Sequence, residues 1–279
     1  MFATGLDSVV SWAGKPYPEI RTVGDRDGSI VVVPVGSVEQ HGHHLPVATD
    51  SILAEAVGTE GASRAAADDV PVLVTPPVWT GYSPHHLPFG GTITVEHGTL
   101  VTLLEEVADA VLENDFDAVL LLNGHGGNAS LIESATSTIG VGHPDTEVLG
   151  LTYFDLAETF IDDVRESDPG GMAHGGEFET SLLLDLHPEL VREGRIEGSL
   201  SDETYQRAAV DLFGTGPLSV YRSFDEYSES GAIGAPELAS AEKGAEIFDR
   251  LADEVADLLR SIHHENEEES ETVCDTHDE

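Results

Sequence analysis

Two uninterrupted apolar runs constrain the fold of this chain more than any other feature. Ser29-Ile-Val-Val-Val-Pro-Val35 is rich in β-branched residues and stops at Gly36, and Ala118-Val-Leu-Leu-Leu122 runs directly into Asn123-Gly-His-Gly-Gly-Asn128. A strand that is apolar at every position has both faces buried, which is the situation of a parallel sheet covered by helices on each side. Val70–Thr75 and Val148–Tyr153 supply two further strand candidates, and helical composition fills Asp50–Ala67, Leu100–Leu112 and a segment from about Ala129. Strands alternating with helices predict an α/β fold with a mostly parallel sheet. Ligands in such sheets gather beyond the carboxyl ends of the strands. The polar, glycine-bearing clusters of this sequence fall at those ends.

The rest of the chain is less regular. A Pro- and His-rich loop, Pro76–Gly91, precedes a short Thr92–Val95 strand, and Gly194–Pro236 has weak periodicity, expected to wrap the site or a neighbouring subunit. A last amphipathic helix is predicted from about Ala239 to Ser261. The organisation is therefore one domain over residues 1–262, followed by an acidic, disordered tail over 263–279. There is no internal repeat.

Charge narrows the functional classes. The 279 residues include 53 Asp and Glu against 12 Lys and Arg, a formal charge of −41, and only Lys15 and Lys243 are lysines. Sequence-independent nucleic-acid binding needs Lys and Arg to neutralise phosphates, so that class is excluded. An anionic membrane surface would repel the chain for the same reason. At 40% hydrophobic and 23% charged residues the chain is nonetheless globular in composition, with the acid carried on a folded body. The acid is spread along the sequence, which favours adaptation to a salty cytosol over an acidic interaction protein, whose acid would come in blocks. Molar salt cuts the Debye length to about 3 Å and screens the self-repulsion. The single cysteine, Cys274, cannot form an intrachain disulfide. No basic segment leads into an apolar one at the N-terminus, and no apolar run approaches the ~20 residues of a membrane span. A soluble cytoplasmic protein is expected.

Three clusters carry chemistry. In Gly36-Ser-Val-Glu39-Gln-His41-Gly-His43-His44, Glu39 and His41 are two apart and point the same way in an extended segment, with Asp50 following at a helix start. Carboxylates and imidazoles together suit Zn, Mn or Fe(II); alternatively Thr49 or Asp50 caps the helix and the histidines lie at the surface. The second cluster, Asn123–Asn128, holds His125 among three glycines that allow close backbone approach. It matches neither a dinucleotide fingerprint nor a phosphate loop. The third is His174-Gly-Gly-Glu177-Phe-Glu179-Thr-Ser181, where Glu177 and Glu179 are either site residues or first-turn carboxylates favoured by the helix dipole. Three such clusters fit one convergent site. Glu39, His41, Asp50, His125 and Glu177 are the candidate ligands for two divalent metals sharing a carboxylate, an arrangement that makes hydroxide from water at neutral pH.

These motifs resemble the creatininase (creatinine amidohydrolase) family: Glu39-Gln-His41-Gly with Asp50, Asn123-Gly-His125, His174-Gly-Gly-x-Phe-Glu-Thr-Ser181, and Gly231-Ala-Ile-Gly234 with Ala239-Ser-Ala-Glu-Lys-Gly244. The resemblance runs from about Val31 to Gly244. It implies a three-layer α/β/α sandwich, two metals in an amide-hydrolysing site and a homo-oligomer, usually a hexamer built from dimers. It assigns Glu39, Asp50 and His125 to one metal, and His41 with bridging Asp50 to the other. Creatinine-hydrolysing members place a further carboxylate where this chain has Gly127, and the resemblance implies that Glu177 restores it, as in the family's Gly-Gly-Asn branch. His174 matches the histidine that transfers a proton to the leaving nitrogen, so His174 and Glu177 are the catalytic candidates. The tryptophans that surround creatinine in those members fall at Phe154 and near Gly170, which argues against creatinine as substrate. Tyr82, His85 and His86 either line the substrate pocket or lie at the surface.

The expected activity is hydrolysis of the C–N bond of a small amide or formamide, by a hydroxide bridging the two metals. Alternatives are deformylation of a ribosylaminopyrimidine phosphate in flavin and deazaflavin synthesis, trimming of a peptide-derived redox cofactor, or metal binding without catalysis. Absence of a phosphate loop counts against a nucleotide-binding module. The charge analysis makes a prediction of its own: diluting the protein from molar KCl to about 0.1 M lowers its thermal unfolding midpoint and its activity. A midpoint unchanged by dilution would contradict it.

Overall fold

The structure, a computed structural model, describes residues 6–200, 205, 207–213 and 216–276. The elements follow in the order α1 (Tyr17–Gly24), β1 (Ile30–Val35), α2 (Thr49–Ala66), β2 (Val72–Val74), α3 (His97–Leu112), β3 (Ala118–Asn123), α4 (Ala129–Gly142), β4 (Glu147–Thr152), α5 (Ile161–Val164), α6 (Glu177–Leu186) and α7 (Ala241–Thr276). The four strands are all parallel in the order β2-β1-β3-β4, with Ile30 opposite both Val72 and Ala118 and Ala118 opposite Glu147.

Alternation along the two central strands builds two cores. Ile30, Val32, Ala118, Leu120 and Leu122 face one way, into a layer with Leu53 and Val57 of α2, Leu182 of α6 and Leu251, Val255 and Leu259 of α7. Val31, Val33, Val35, Val119 and Leu121 face the other, against Ile20 of α1, Leu100 and Leu104 of α3 and Ile132 of α4. All of β1 and β3 is buried because both faces are covered, so period two is invisible in the sequence yet decides which core each residue joins. This is the α/β/α sandwich. The edge strand β4 is only partly buried, with Glu147 and Gly150 exposed.

One sequence expectation changes here. The last helix does not stop near Ser261. α7 continues to Thr276 where a disordered tail was expected, and only residues 277–279 of that tail lie outside the described residues. Glutamate is a good helix former, and two contacts fasten the extension to the body: His263 Nδ1 donates to Gly28 O at 3.0 Å, and Asn266 Nδ2 donates to Glu147 Oε2 at 2.7 Å. The stretch expected to be irregular, 194–236, is indeed without long elements where it is described, and its residues 201–204, 206, 214 and 215 lie outside the described residues. No helix among the described residues is long and apolar enough to cross a membrane.

The scarce cations tie acidic helices together. Arg64 of α2 reaches Glu60 of its own helix and both Asp249 and Asp253 of α7, while Arg260 of α7 pairs with Asp68. Where α6 meets α7 the backbones come close enough that a Cβ on Gly244 would lie 2.0 Å from Ser181 O. Gly244→Ala therefore has to push α7 off α6, and we expect a loss of about 1–3 kcal/mol in unfolding free energy, read by denaturant titration. An unchanged stability would show that the two helices slide past one another freely.

Candidate metal centre

The site is assembled beyond the carboxyl ends of the adjacent strands β1 and β3. The chain leaves β1 through Glu39, Gln40 and His41 and returns at the start of α2, bringing Asp50 back to them; β3 delivers His125. All four of these acidic and imidazole side chains are buried, as is Glu179 in the first turn of α6. His41 Nε2 lies 2.9 Å from Asp50 Oδ1 and 3.6 Å from Glu179 Oε1. His125 Nδ1 lies 3.1 Å from Glu39 Oε1 and 3.4 Å from Asp50 Oδ2. Asp50 thus offers one oxygen to each of two groups, Glu39–Asp50–His125 and His41–Asp50–Glu179, within each of which the ligand-capable atoms are all within 4.8 Å of one another.

Backbone carbonyls set the tautomers. His41 Nδ1 donates to Glu39 O at 3.1 Å, and His125 Nε2 donates to Tyr82 O at 3.2 Å, leaving the other nitrogen of each ring aimed at the carboxylates. Ordering of ligating histidines by an outer hydrogen bond is how metal sites fix ring orientation. His174 is held the same way: its Nε2 donates to Gln40 O at 2.6 Å, and its Nδ1 faces Glu39 Oε1 at 3.7 Å. His86, which the sequence left between pocket and surface, is buried with Nδ1 2.8 Å from Gln40 Nε2 and Nε2 3.1 Å from Glu39 Oε1.

The electrostatics ask for cations. Three carboxylates are buried together, and among the described residues no Lys or Arg pairs with any of them. Glu39 Oε1, Glu39 Oε2 and Asp50 Oδ2 are buried oxygens without a hydrogen bond. Burial disfavours charge on His125, but Glu39 and then Asp50 outweigh it and lift its pKa to about 9; burial likewise opposes charge on His41, and Asp50 and Glu179 overcome it. Burial, reinforced by the charge of Glu39, raises Asp50 to about 6. His174, by contrast, is driven well below its usual range by burial and then by His41 and His86, so it is neutral. Buried carboxylate oxygens answered only by imidazole nitrogens are a donor set that fits divalent cations.

One expected ligand is displaced. Glu177 is fully buried, but its carboxylate is turned away from this cluster: it accepts from Glu166 N at 3.0 Å and Ser167 N at 2.9 Å and is paired with Lys243 of α7. Burial opposes its ionisation, and Lys243 with the Ser167 and Glu166 donors overcomes that and holds its pKa below the usual carboxylate value. Glu179 stands where Glu177 was expected. In the first turn of α6, Glu177 is the first residue and Glu179 the third, and a third-position side chain folds back over the helix start. Glu179 Oε2 accepts from Gly175 N at 2.6 Å, in a turn where Gly175 has φ +60°. The signal was present in the sequence, since Glu179 stood in the same motif with both readings open. Gly127, where the sequence resemblance implied a missing carboxylate, has no room for a side chain: a Cβ there would lie 2.3 Å from His125 Nε2 and 2.9 Å from Tyr82 O.

A cavity of about 260 Å³ opens onto this cluster, with Glu39, His85, His86, His125 and His174 on one side and Phe224, Tyr227 and Ile233 among the residues facing them. Tyr82 does not line it and contributes its carbonyl instead. Phe154 is buried against Tyr153, and neither it nor Trp12 or Trp79 lines the cavity.

Comparison with known proteins identifies the relatives of this chain. The creatininase family model, described as creatinine amidohydrolase, matches residues 15–259. The mycofactocin precursor peptide peptidase of Mycolicibacterium smegmatis is 32% identical over 232 residues, 83% of this chain and 84% of that protein. The creatinine amidohydrolase of Pseudomonas putida is 28% identical over 266 residues, 88% of this chain and 93% of that protein. Among solved structures, a manganese creatininase superposes with a TM-score of 0.74 at 26% identity over 90% of this chain and 98% of its own, and a mutant creatininase of Zn-Zn type with 0.76 at the same identity over 90% and 97%.

The two glutamates of α6 are separable by experiment. Glu177→Gln removes the charge that holds Lys243 and the 166–167 backbone, and we expect it to cost about 1.5–3 kcal/mol of unfolding free energy. Glu179→Gln removes one of three mutually repelling buried carboxylates that only imidazoles answer, so chelator-treated protein should gain stability, by about 1–3 kcal/mol. Denaturant titrations of both variants check this; the reverse order would return the metal-facing role to Glu177.

Proposed function

Because the chain belongs to the creatininase family of hydrolases, we propose that it is a metal-dependent amidohydrolase that cleaves the C–N bond of a small amide or formamide at the Glu39–His125 cluster. The observation that carries this reading is Asp50, buried between two imidazoles with one oxygen toward each. Two divalent ions fit the donor set: Glu39, Asp50 and His125 would hold one, and His41, Asp50 and Glu179 the other. Similarity to manganese and Zn-Zn creatininases supports Mn or Zn. Bound there, such ions lower the pKa of water and polarise a carbonyl oxygen.

The chain's own residues supply the proton chemistry. His174 is neutral, with its Nε2 hydrogen committed to Gln40 O, so the lone pair that faces the cavity is on Nδ1. It takes up a proton there from the attacking water and delivers it to the departing nitrogen, as a general base and then a general acid. Gln40 fixes this geometry twice over. Its carbonyl holds His174, while its side-chain amide donates to Gly231 O at 3.1 Å and to His86 Nδ1, which turns His86 Nε2 toward Glu39.

A peptide-trimming activity is the second reading, favoured by the 32% identity to a precursor peptide peptidase. The lack of a tryptophan in the cavity wall argues against creatinine. The test is hydrolysis of formamide, lactam and dipeptide panels before and after chelation. Activity should vanish on chelation and return with Mn or Zn, and His174→Ala should lower kcat by about 10²–10⁴ with metal affinity unchanged. A His174→Ala enzyme of full activity would remove that residue from the proton path.

A further inference from the structure

The cavity over the candidate centre has a polar floor and an apolar wall, and the wall is charge-poor in a way that speaks to substrate. Phe224 sits on the floor's imidazoles, its ring centroid 4.2 Å from that of His86, 4.9 Å from His85 and 5.1 Å from His174. Tyr227, Ala173, Leu212 and Ile233 continue the wall. No Lys or Arg is among the described residues lining the cavity. The wall's one carboxylate, Asp211, is already satisfied: Arg165 lies 2.9 Å from Oδ2, and Gly170 N and Phe213 N donate to it at 2.8 and 3.0 Å. Arg222 is stacked on the ring of Tyr227, 5.5 Å from its centroid, and does not line the cavity.

The turn that carries Phe224 is fixed in place. Ser223 and Glu226 form a reciprocal capping box, with Ser223 N donating to Glu226 Oε1 at 3.3 Å. Its exit is tied down by Ser228, whose Oγ donates to Ala232 O at 2.7 Å, and by the Gln40 amide that bonds Gly231 O. The same Gln40 that orients His174 thus anchors the segment bearing the wall. A preformed apolar wall with few polar groups is the usual makeup of a site that selects by shape and desolvation.

We propose that the Phe224–Tyr227 turn is the specificity wall of this site, and that it selects an amide whose neighbouring group is uncharged and apolar, of the size of a small ring, over one bearing a phosphate. A phosphate in this cavity meets no cation on the wall and a protein of net charge −41 around it. An apolar group buries surface against Phe224 at no such cost. Phe224 is the specificity-determining residue. The inference rests on the hydrolase reading above, and its test is built to tell the two apart.

The probes are three hydroxamates, which chelate bound divalent metal by a common head group: acetohydroxamate, benzohydroxamate and phosphonoacetohydroxamate. Their affinities for the metal-loaded protein are measured by calorimetry. Benzohydroxamate should bind at least about tenfold more tightly than either of the others, and Phe224→Ala should bring it to within about threefold of acetohydroxamate. Phe224→Leu serves the same purpose if the alanine variant does not fold. Equal binding of the aryl and methyl probes in the wild type, tightest binding of the phosphonate, or an aryl advantage that survives the Phe224 variants would each overturn the proposal. If no hydroxamate binds, the metal reading has failed, and the wall is tested alone by saturation-transfer NMR on chelator-treated protein. Benzamide should then receive saturation where phenyl phosphate does not, and lose it in the Phe224 variant; no transfer to benzamide overturns the wall as well.

Discussion

Three buried carboxylates without a lysine or arginine to answer them are the constraint around which this molecule is arranged. Glu39, Asp50 and Glu179 come from three separate segments, the loop after β1, the start of α2 and the start of α6. Placed together they repel one another, and burial makes each charge more expensive still. The surrounding imidazoles are the immediate response, with His41 and His125 drawn toward the protonated state by their neighbours. That polarity is costly to maintain unless a cation completes it, and the sandwich holds it rigidly: strands β1 and β3 lie side by side in the sheet, and α6 is locked to α7 at Gly244.

Different groups in this neighbourhood then do different work. Glu177 and Lys243 show it most directly. In a chain with two lysines, one is spent on holding Glu177, and that pair joins α7, the 166–167 loop and the helix that presents Glu179. A neutral His174 beside cationic-tending His41 is a second division of labour. Its ring is 4.2 Å from that of His41, yet its environment keeps it free to accept a proton. Perturbing neighbouring groups in opposite directions is how one pocket supports both binding and proton transfer.

Much of this was legible in the sequence, and each feature that was not has a physical cause. Two continuous apolar runs announced β1 and β3, and the sheet has them at its centre. Glu39, His41 and His125 stood next to strand ends and Asp50 at a helix start, and all four are brought together. The choice between Glu177 and Glu179 was not settled by pattern, because both lie in one helical turn and only the path of the chain around His174 decides which carboxylate folds back. Lys243 is 66 residues away from Glu177 in sequence, so no local signal reveals their pairing. The extent of α7 was missed for another reason. Dense glutamate reads as a disordered tail by charge and as helix by propensity, and two polar contacts to the body tip the balance. Phe224 was invisible because its turn has no periodicity.

The central claim is that the Asp50-centred cluster holds two metal ions, and elemental analysis tests it most directly. Protein purified in molar KCl without chelator should contain about two transition-metal ions per chain, and Asp50→Ala, which removes the carboxylate shared by both groups, should lose them together. Folded wild-type protein that contains no such metal and takes none up on incubation with Mn or Zn would contradict the account, leaving a creatininase sandwich whose buried carboxylates serve some other end.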